Sequence, residues 1–292
     1  DFQLSRFDGE YIGLTLPSEE LLPVIGVKAS TRLRLNPKLL LTGDDWLSGM
    51  LGLLSSETYL RVEEKSSDAD TKEIFLLHFG RFLRDETTLL GSNLLTQDLF
   101  ILERDPSFSV RLRYGERRGL TQFATSAERT YARDQSVRLR WKPVEEIAHQ
   151  IDYAIRTDLL TASEGSSRVR MVSAQTLAMD WAYRPEQQLE IGFRFGLGQA
   201  TNFDTTSVDL NDQAVRVSYA FAGRGQARGE ITREEVLTTK AGTALPFELT
   251  GGRIPGRMWL WKASIDYQVT RVLQLSAGYD GRSEQGGAPV HT

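Results

Sequence analysis

Ten residues near the middle of the chain, LEIGFRFGLG (189–198), put Leu189, Ile191, Phe193, Phe195 and Leu197 at every second position, with Glu190, Gly192, Arg194, Gly196 and Gly198 between them. A period of two is the strand period, because successive side chains of an extended chain point to opposite faces. One face of this ribbon is apolar; the other carries a charge pair and three residues without side chains. Such a ribbon can be satisfied in two ways. A soluble protein lays the apolar face on a core and leaves the charged face in water. A membrane barrel turns the apolar face out to lipid and the charges into a lumen.

The pattern recurs from about residue 98 onward, in FSVRLRY (108–114), SVRLRW (136–141), IAHQIDYAIRT (147–157), TLAMDWAY (176–183), AVRVSYAF (214–221), WKASIDY (261–267) and VLQLSAGYD (272–280). The connections alternate in length. Short ones fall at 104–107, 142–146, 184–188, 223–225 and 268–271, and long ones at 118–134, 160–170, 199–212 and 237–257. That alternation predicts antiparallel hairpins with the short turns at one end. Pro37, Pro106, Pro143 and Pro185 fall in the short turns, as expected of a residue that cannot donate to a ladder. The first 97 residues are less legible. VKASTRLRL (27–35) and SETYLRVEEK (56–65) read as strands, and DLFILE (98–103) as a strand with two apolar faces, while 38–55 and 73–97 are Leu-rich without clean alternation. No Gly/Ser- or Pro-rich linker divides the chain, so residues 21–292 read as one all-β, up-and-down antiparallel domain of about 12 strands, between 10 and 14. Residues 1–20 read as an N-terminal arm or plug-like segment.

The choice between the two arrangements turns on three features. The residues before the short turns are Trp141, Tyr183, Phe221 and Tyr267, and Phe108 follows one; all have the parity of the aliphatic residues on their strands. A core has no reason to place a ring at the same height on successive hairpins, whereas a bilayer interface does. Trp259, Trp261, Tyr279 and Tyr131 lie toward the long-loop ends, where a second girdle would sit. The hairpin arms run about 10 residues or more, the length of a tilted membrane strand rather than of a mean globular strand. The opposite face carries Arg111, Arg113, Arg138, Arg140, Asp152, Arg156, Asp180, Glu190, Arg194, Arg216 and Asp266, interspersed with Gly, Ala and Ser. Charges of both signs mixed with small residues suit a lumen, although charge alone equally suits the wet face of a β-sandwich. Ring placement, strand length and loop asymmetry together favour the transmembrane barrel.

By this pattern the chain resembles Gram-negative outer-membrane β-barrel proteins, well over 98–282 and partly over 24–65, with no family motif. The resemblance implies an outer-membrane location and a closed antiparallel sheet. Such barrels usually end on a strand with an aromatic last residue, whereas this chain ends GGAPVHT (286–292), which reads as a loop. The expectation is that a final strand lies beyond Thr292 or that the chain is part of a larger barrel. Asp1 marks it as a mature form or a fragment.

Composition excludes several classes. The 292 residues carry a net charge of −4, without a polybasic segment for nucleic acid. Cysteine is absent and there are only three histidines, so a thiolate or histidine-rich metal site is not expected. No apolar run approaches the ~18 residues of a transmembrane helix. His149 has the parity of Ile147 and Ile151 near a turn and reads as interfacial. His78 lacks a legible Ser or Asp partner for nucleophilic catalysis. Asp68 and Asp70 in SDADTK lack the Gly and terminal Glu of a calcium loop. The glycines of GFRFGLG follow no strand–helix pattern and so do not read as a phosphate cradle. The inward arginines either pair with Asp152, Asp180, Glu190 and Asp266 or bias a wide pore toward anions. The expected function is non-enzymatic: an outer-membrane pore, or the membrane anchor of a larger surface assembly with other chains. The competing readings are a soluble β-sandwich or barrel acting as a binding module and, more remotely, an outer-membrane hydrolase. No cofactor is implied, and the expected partner is the lipid bilayer.

Overall fold

The computed structural model describes residues 24–39, 45–67, 82–123, 126–162, 169–202, 206–221, 223–239, 247–270 and 272–291. They form a 13-stranded antiparallel sheet in which each strand pairs only with its neighbours in the chain. The strands are β1 (Ile25–Leu35), β2 (Leu54–Ser66), β3 (Thr88–Ile101), β4 (Phe108–Gln122), β5 (Ala127–Val144), β6 (Ile147–Thr161), β7 (Arg170–Glu186), β8 (Leu189–Asn202), β9 (Ser207–Phe221), β10 (Gly225–Thr238), β11 (Gly256–Gln268), β12 (Gln274–Glu284) and β13 (Val290–His291). Among the described residues two short α-helices, α1 (Trp46–Leu51) and α2 (Phe247–Thr250), and a 3-10 turn at Pro37–Leu39 lie in connections. The all-β, up-and-down antiparallel architecture is the expected one, and the strand number falls within the expected range. Among the described residues no ladder joins β1 to β12 or β13.

Several boundaries differ from the sequence reading. The connections 118–134 and 199–212 are mostly strand: β4 runs to Gln122, β5 starts at Ala127, β8 ends at Asn202 and β9 starts at Ser207. Beyond Tyr114, Val137, Leu197 and Val215 the apolar-parity positions become Glu116, Gln135, Gln199 and Gln213. With both faces polar the alternation disappears, although the backbone ladder continues. β3 begins at Thr88, ten residues before DLFILE; it places Leu90 and Leu94 on one face and Leu95 and Leu99 on the other, which hid its period. GGAPVHT is not wholly loop, because Val290 and His291 pair with Arg282 and Gly281. Pro143 and Pro185 lie within strand ends rather than in the turns, at register shifts between Trp141 and Val144 and between Tyr183 and Glu186. A bulge leaves a residue unpaired and so tolerates a missing N–H. The connection 36–53 lies at the short-turn end yet contains α1, whose Trp46, Leu47 and Met50 are exposed. The N-terminal arm at 1–20 lies outside the described residues.

Leu249 of α2 is buried with Val172, Ala200, Val208 and Val236 at the long-loop end of β7 to β10. Removing its side chain leaves a cavity against those strands. Leu249→Ala should therefore cost about 2–5 kcal/mol locally and speed proteolysis of the 247–255 segment. Unchanged cleavage kinetics would show that this contact does not hold the segment down.

Candidate functional site

Directly opposed residues of an antiparallel ladder share a face, so the register assigns each side chain. One row reads Phe108, Trp141, His149, Trp181, Phe193, Val215, Ile231 and Trp261 across β4 to β11. The row one residue over reads Arg140, Gln150, Asp180 and Arg194 across β5 to β8. By the same register all eleven charged residues singled out in the sequence lie on one face. The apolar face is open: Phe193 is 46% exposed and Ile231 54%. Near the short turns the rings touch one another. Trp141 and Trp181 flank His149 with centroids 5.4 and 6.5 Å away, and Phe221 contacts Tyr219 and Tyr267 at 5.3 and 5.8 Å. Tyr183 stands between Ile147 and Ile191. His149, Trp181 and Tyr219 thus join the aromatic set read from the sequence.

The polar face is a field of ion pairs. Asp98, 5% exposed, accepts hydrogen bonds from both Arg111 and Arg113, with Nε–O distances of 2.9 Å to each. Arg111 also lies 5.4 Å over the Phe100 ring. Arg138 meets Asp152 at 2.5 Å, and Gln150 donates to the second oxygen of Asp152 at 2.6 Å. Arg216 reaches Asp180 at 3.3 Å, Arg194 reaches Asp212 at 3.4 Å, Arg184 holds Glu190 at 2.6 Å, and Arg156 pairs with Asp158 at 2.6 Å. Asp266 accepts a hydrogen bond from Ser276 at 2.7 Å. Arg140 forms no ion pair or hydrogen bond among the described residues. Asp98 and Asp212 were missed in the sequence for different reasons. Asp98 opens a segment with two apolar faces, and Asp212 falls where a loop was expected.

The glycines of β8 make room for this network. A Cβ at Gly192 would come within 2.5 Å of Arg216 Nε and 2.7 Å of its Cγ. The Arg216 side chain therefore crosses β8 over Gly192 to reach Asp180 on β7. Leu249 packs from the same side, and Arg253 approaches Asp212 and Glu234 at 3.6 Å each. The strand-skipping contact of Arg216 and the helix docked against β7, β8 and β9 lie on the polar face, termed the concave face below and the apolar one the convex face. The oily side of LEIGFRFGLG is open, and on its other side Gly192 lies under the Arg216 side chain, Gly196 against the Asp212 carboxylate and Gly198 against Leu210. No cluster of three or more His, Asp or Glu able to hold a metal occurs among the described residues. His78, Asp68 and Asp70 lie outside them.

Gly192→Ala should destabilise the protein by about 1–3 kcal/mol through overpacking against Arg216. Trimming that side chain in Gly192→Ala/Arg216→Ala should recover part of the loss, a non-additivity readable in urea unfolding. Strict additivity would mean that Gly192 does not serve as a passage for Arg216.

No helix among the described residues is long and apolar enough to cross a membrane, a criterion that does not bear on strands. No family model matches the chain, and no curated relative matches it. Among solved structures, a FadL homologue from Pseudomonas aeruginosa aligns with a TM-score of 0.39 and 13% identity over 79% of this chain. The match covers 66% of that structure, so the chain spans just under two thirds of its length. The translocator domain of the autotransporter NalP from Neisseria meningitidis aligns with a TM-score of 0.28 and 10% identity, covering 91% of this chain and 85% of that one.

Proposed function

We propose that the chain is a β-barrel of the outer membrane that forms a non-enzymatic pore with the lipid bilayer as its partner. The observation that carries this reading is the belt of exposed apolar side chains along the convex face, opposite a concave face of ion pairs. Soluble monomers rarely expose contiguous apolar patches beyond a few hundred Å², and among the described residues nothing covers this belt. On β8 it runs from Leu189 to Leu197, roughly 26 Å along the strand at ~3.3 Å per residue. A tilt of ~40° reduces that to about 20 Å, near the ~25 Å apolar band of membrane barrels. The belt also crosses the ladder obliquely. One row of opposed residues passes from Val110, Leu139, Ile151, Met179 and Phe195 to Gln213 and Arg233. Strands tilted through a flat apolar layer produce that drift.

The pore reading is favoured by the wetness of the concave face, where the Arg138, Arg156 and Arg216 side chains are 46%, 64% and 44% exposed. A second reading, the anchor of a surface assembly, is favoured by α2 and Arg253, which fold onto the concave face and narrow its long-loop end. In this proposal the charged face conducts or fills and catalyses nothing, with no cofactor and no nucleic acid involved.

Two measurements test it. Val217→Arg places a cation within the belt and should weaken reversible folding into lipid vesicles by about 2–4 kcal/mol. Ser218 lies on the concave face opposite Glu190 and Arg228, so Ser218→Arg should fold nearly as well as the parent. If Val217→Arg folds as readily as Ser218→Arg, the convex face does not meet lipid and the soluble sandwich regains ground. In planar bilayers the protein should show single-channel conductance, shifted toward anions in Ser218→Arg; silence in an inserted protein would favour the anchor.

A further inference from the structure

Above the belt, the convex face of β3 to β6 changes character. On β4 Tyr114 is followed outward by Glu116 and Arg118; on β5 Val137 is followed by Gln135, Arg133, Tyr131 and Arg129. Tyr131 is held between two guanidinium groups. Arg118 lies 6.0 Å and Arg133 5.7 Å from its ring centroid, and Arg133 Nε donates to the phenol oxygen at 2.9 Å. The three cations face two carboxylates: Arg118 pairs with Glu116 at 2.6 Å and Arg129 with Asp85 at 2.6 Å. Among the described residues Arg133 forms no ion pair. Beside this cluster is a cavity of about 450 Å³ lined by Phe82, Leu83, Leu159, Arg118, Arg129 and Tyr131. The groove wall therefore combines apolar side chains with two arginines that are each paired to a carboxylate, and Arg133 beside it gives these five charged groups a net charge of +1.

Its height decides what can reach it. Arg118 lies four residues beyond Tyr114, roughly 13 Å along the strand and about 10 Å above the belt at a ~40° tilt. That is headgroup depth, since the polar layers add several ångströms on each side of the hydrocarbon core. The Arg118, Tyr131 and Leu159 side of the groove lies on the convex face, one polar row (Glu116, Arg133 and Thr157) above the belt. Guanidinium groups bind phosphate oxygens with directed hydrogen bonds, and cations placed next to a hydrocarbon layer attract anionic headgroups.

We propose that this groove binds the phosphate-bearing headgroup of an anionic lipid, with its acyl chains lying down the apolar belt of β3 to β6. The assignment rests on the membrane reading above. The chain is folded into phosphatidylcholine vesicles containing spin-labelled phosphatidylglycerol or spin-labelled phosphatidylcholine. Electron paramagnetic resonance then gives the fraction of each label immobilised by the protein. The native chain should prefer the anionic label. Arg133→Gln should weaken that preference about five-fold, equivalent to ~1 kcal/mol per cation, and Arg118→Gln/Arg133→Gln should weaken it further. Arg233→Gln removes a convex-face arginine on β10 that is paired with Glu235, and should leave the preference unchanged. Added inorganic phosphate should compete only weakly. Equal immobilisation of the two labels, an equal loss in Arg233→Gln, or displacement by dilute phosphate would each overturn the lipid site while leaving the membrane reading intact. A chain that fails to insert at all would overturn both.

Discussion

The register of the ladders is the constraint on which the rest of this molecule depends. Because the side-chain period is two, a slip of one residue in any ladder would exchange the faces of every strand beyond it. The described shifts are confined to strand ends, at Lys65 and Ser66, Trp141 and Val144, and Tyr183 and Glu186. Between them parity passes unbroken from β3 to β12. Directly opposed charges such as Arg138 and Asp152 penalise a slip, as do the aromatic contacts at the short-turn end. Belt, ion-pair field and lipid groove are three consequences of one parity.

The ion pairs themselves contribute modestly. Most of the arginines are about half exposed, and exposed pairs are worth roughly 0–1 kcal/mol each. Their weight lies in shape and sign. The sequence set holds seven arginines and four carboxylates; the structure adds Asp98, Asp158, Asp212 and Glu234 to the acidic side and Arg184 and Arg253 to the basic side, so the two signs nearly balance. Asp98 differs from the rest. It is almost fully buried, so removing either arginine would leave its second partner to compensate.

Much of this was legible because hydropathy alternation reports facing wherever one face is apolar. The strands from 108 onward, the ring positions and the eleven charges on one face all follow from that contrast. The contrast fails in two circumstances. Where both faces are polar, as over Glu116–Gln122 and Asp209–Gln213, strand resembles loop. Where both are apolar, as in β3, a strand resembles a buried run. Tyr131 was legible as a distal ring, but its guanidinium neighbours were not, because Arg118, Arg129 and Arg133 fell within an expected loop. Pairings such as Arg253 with Asp212 depend on how a connection folds back, which no local period encodes.

The meander also bears on how the chain reaches its native state. Every ladder joins strands adjacent in sequence, so each pairing closes only the intervening connection, and loop-closure entropy rises slowly with length. The turns between β5 and β6 and between β7 and β8 contain two residues each, so those two hairpins close the shortest loops of the described sheet. Sheet growth can then proceed outward from these central hairpins in both directions. Among the described residues β1 and β13 are each paired on one side alone, so unfolding should begin at these two edges.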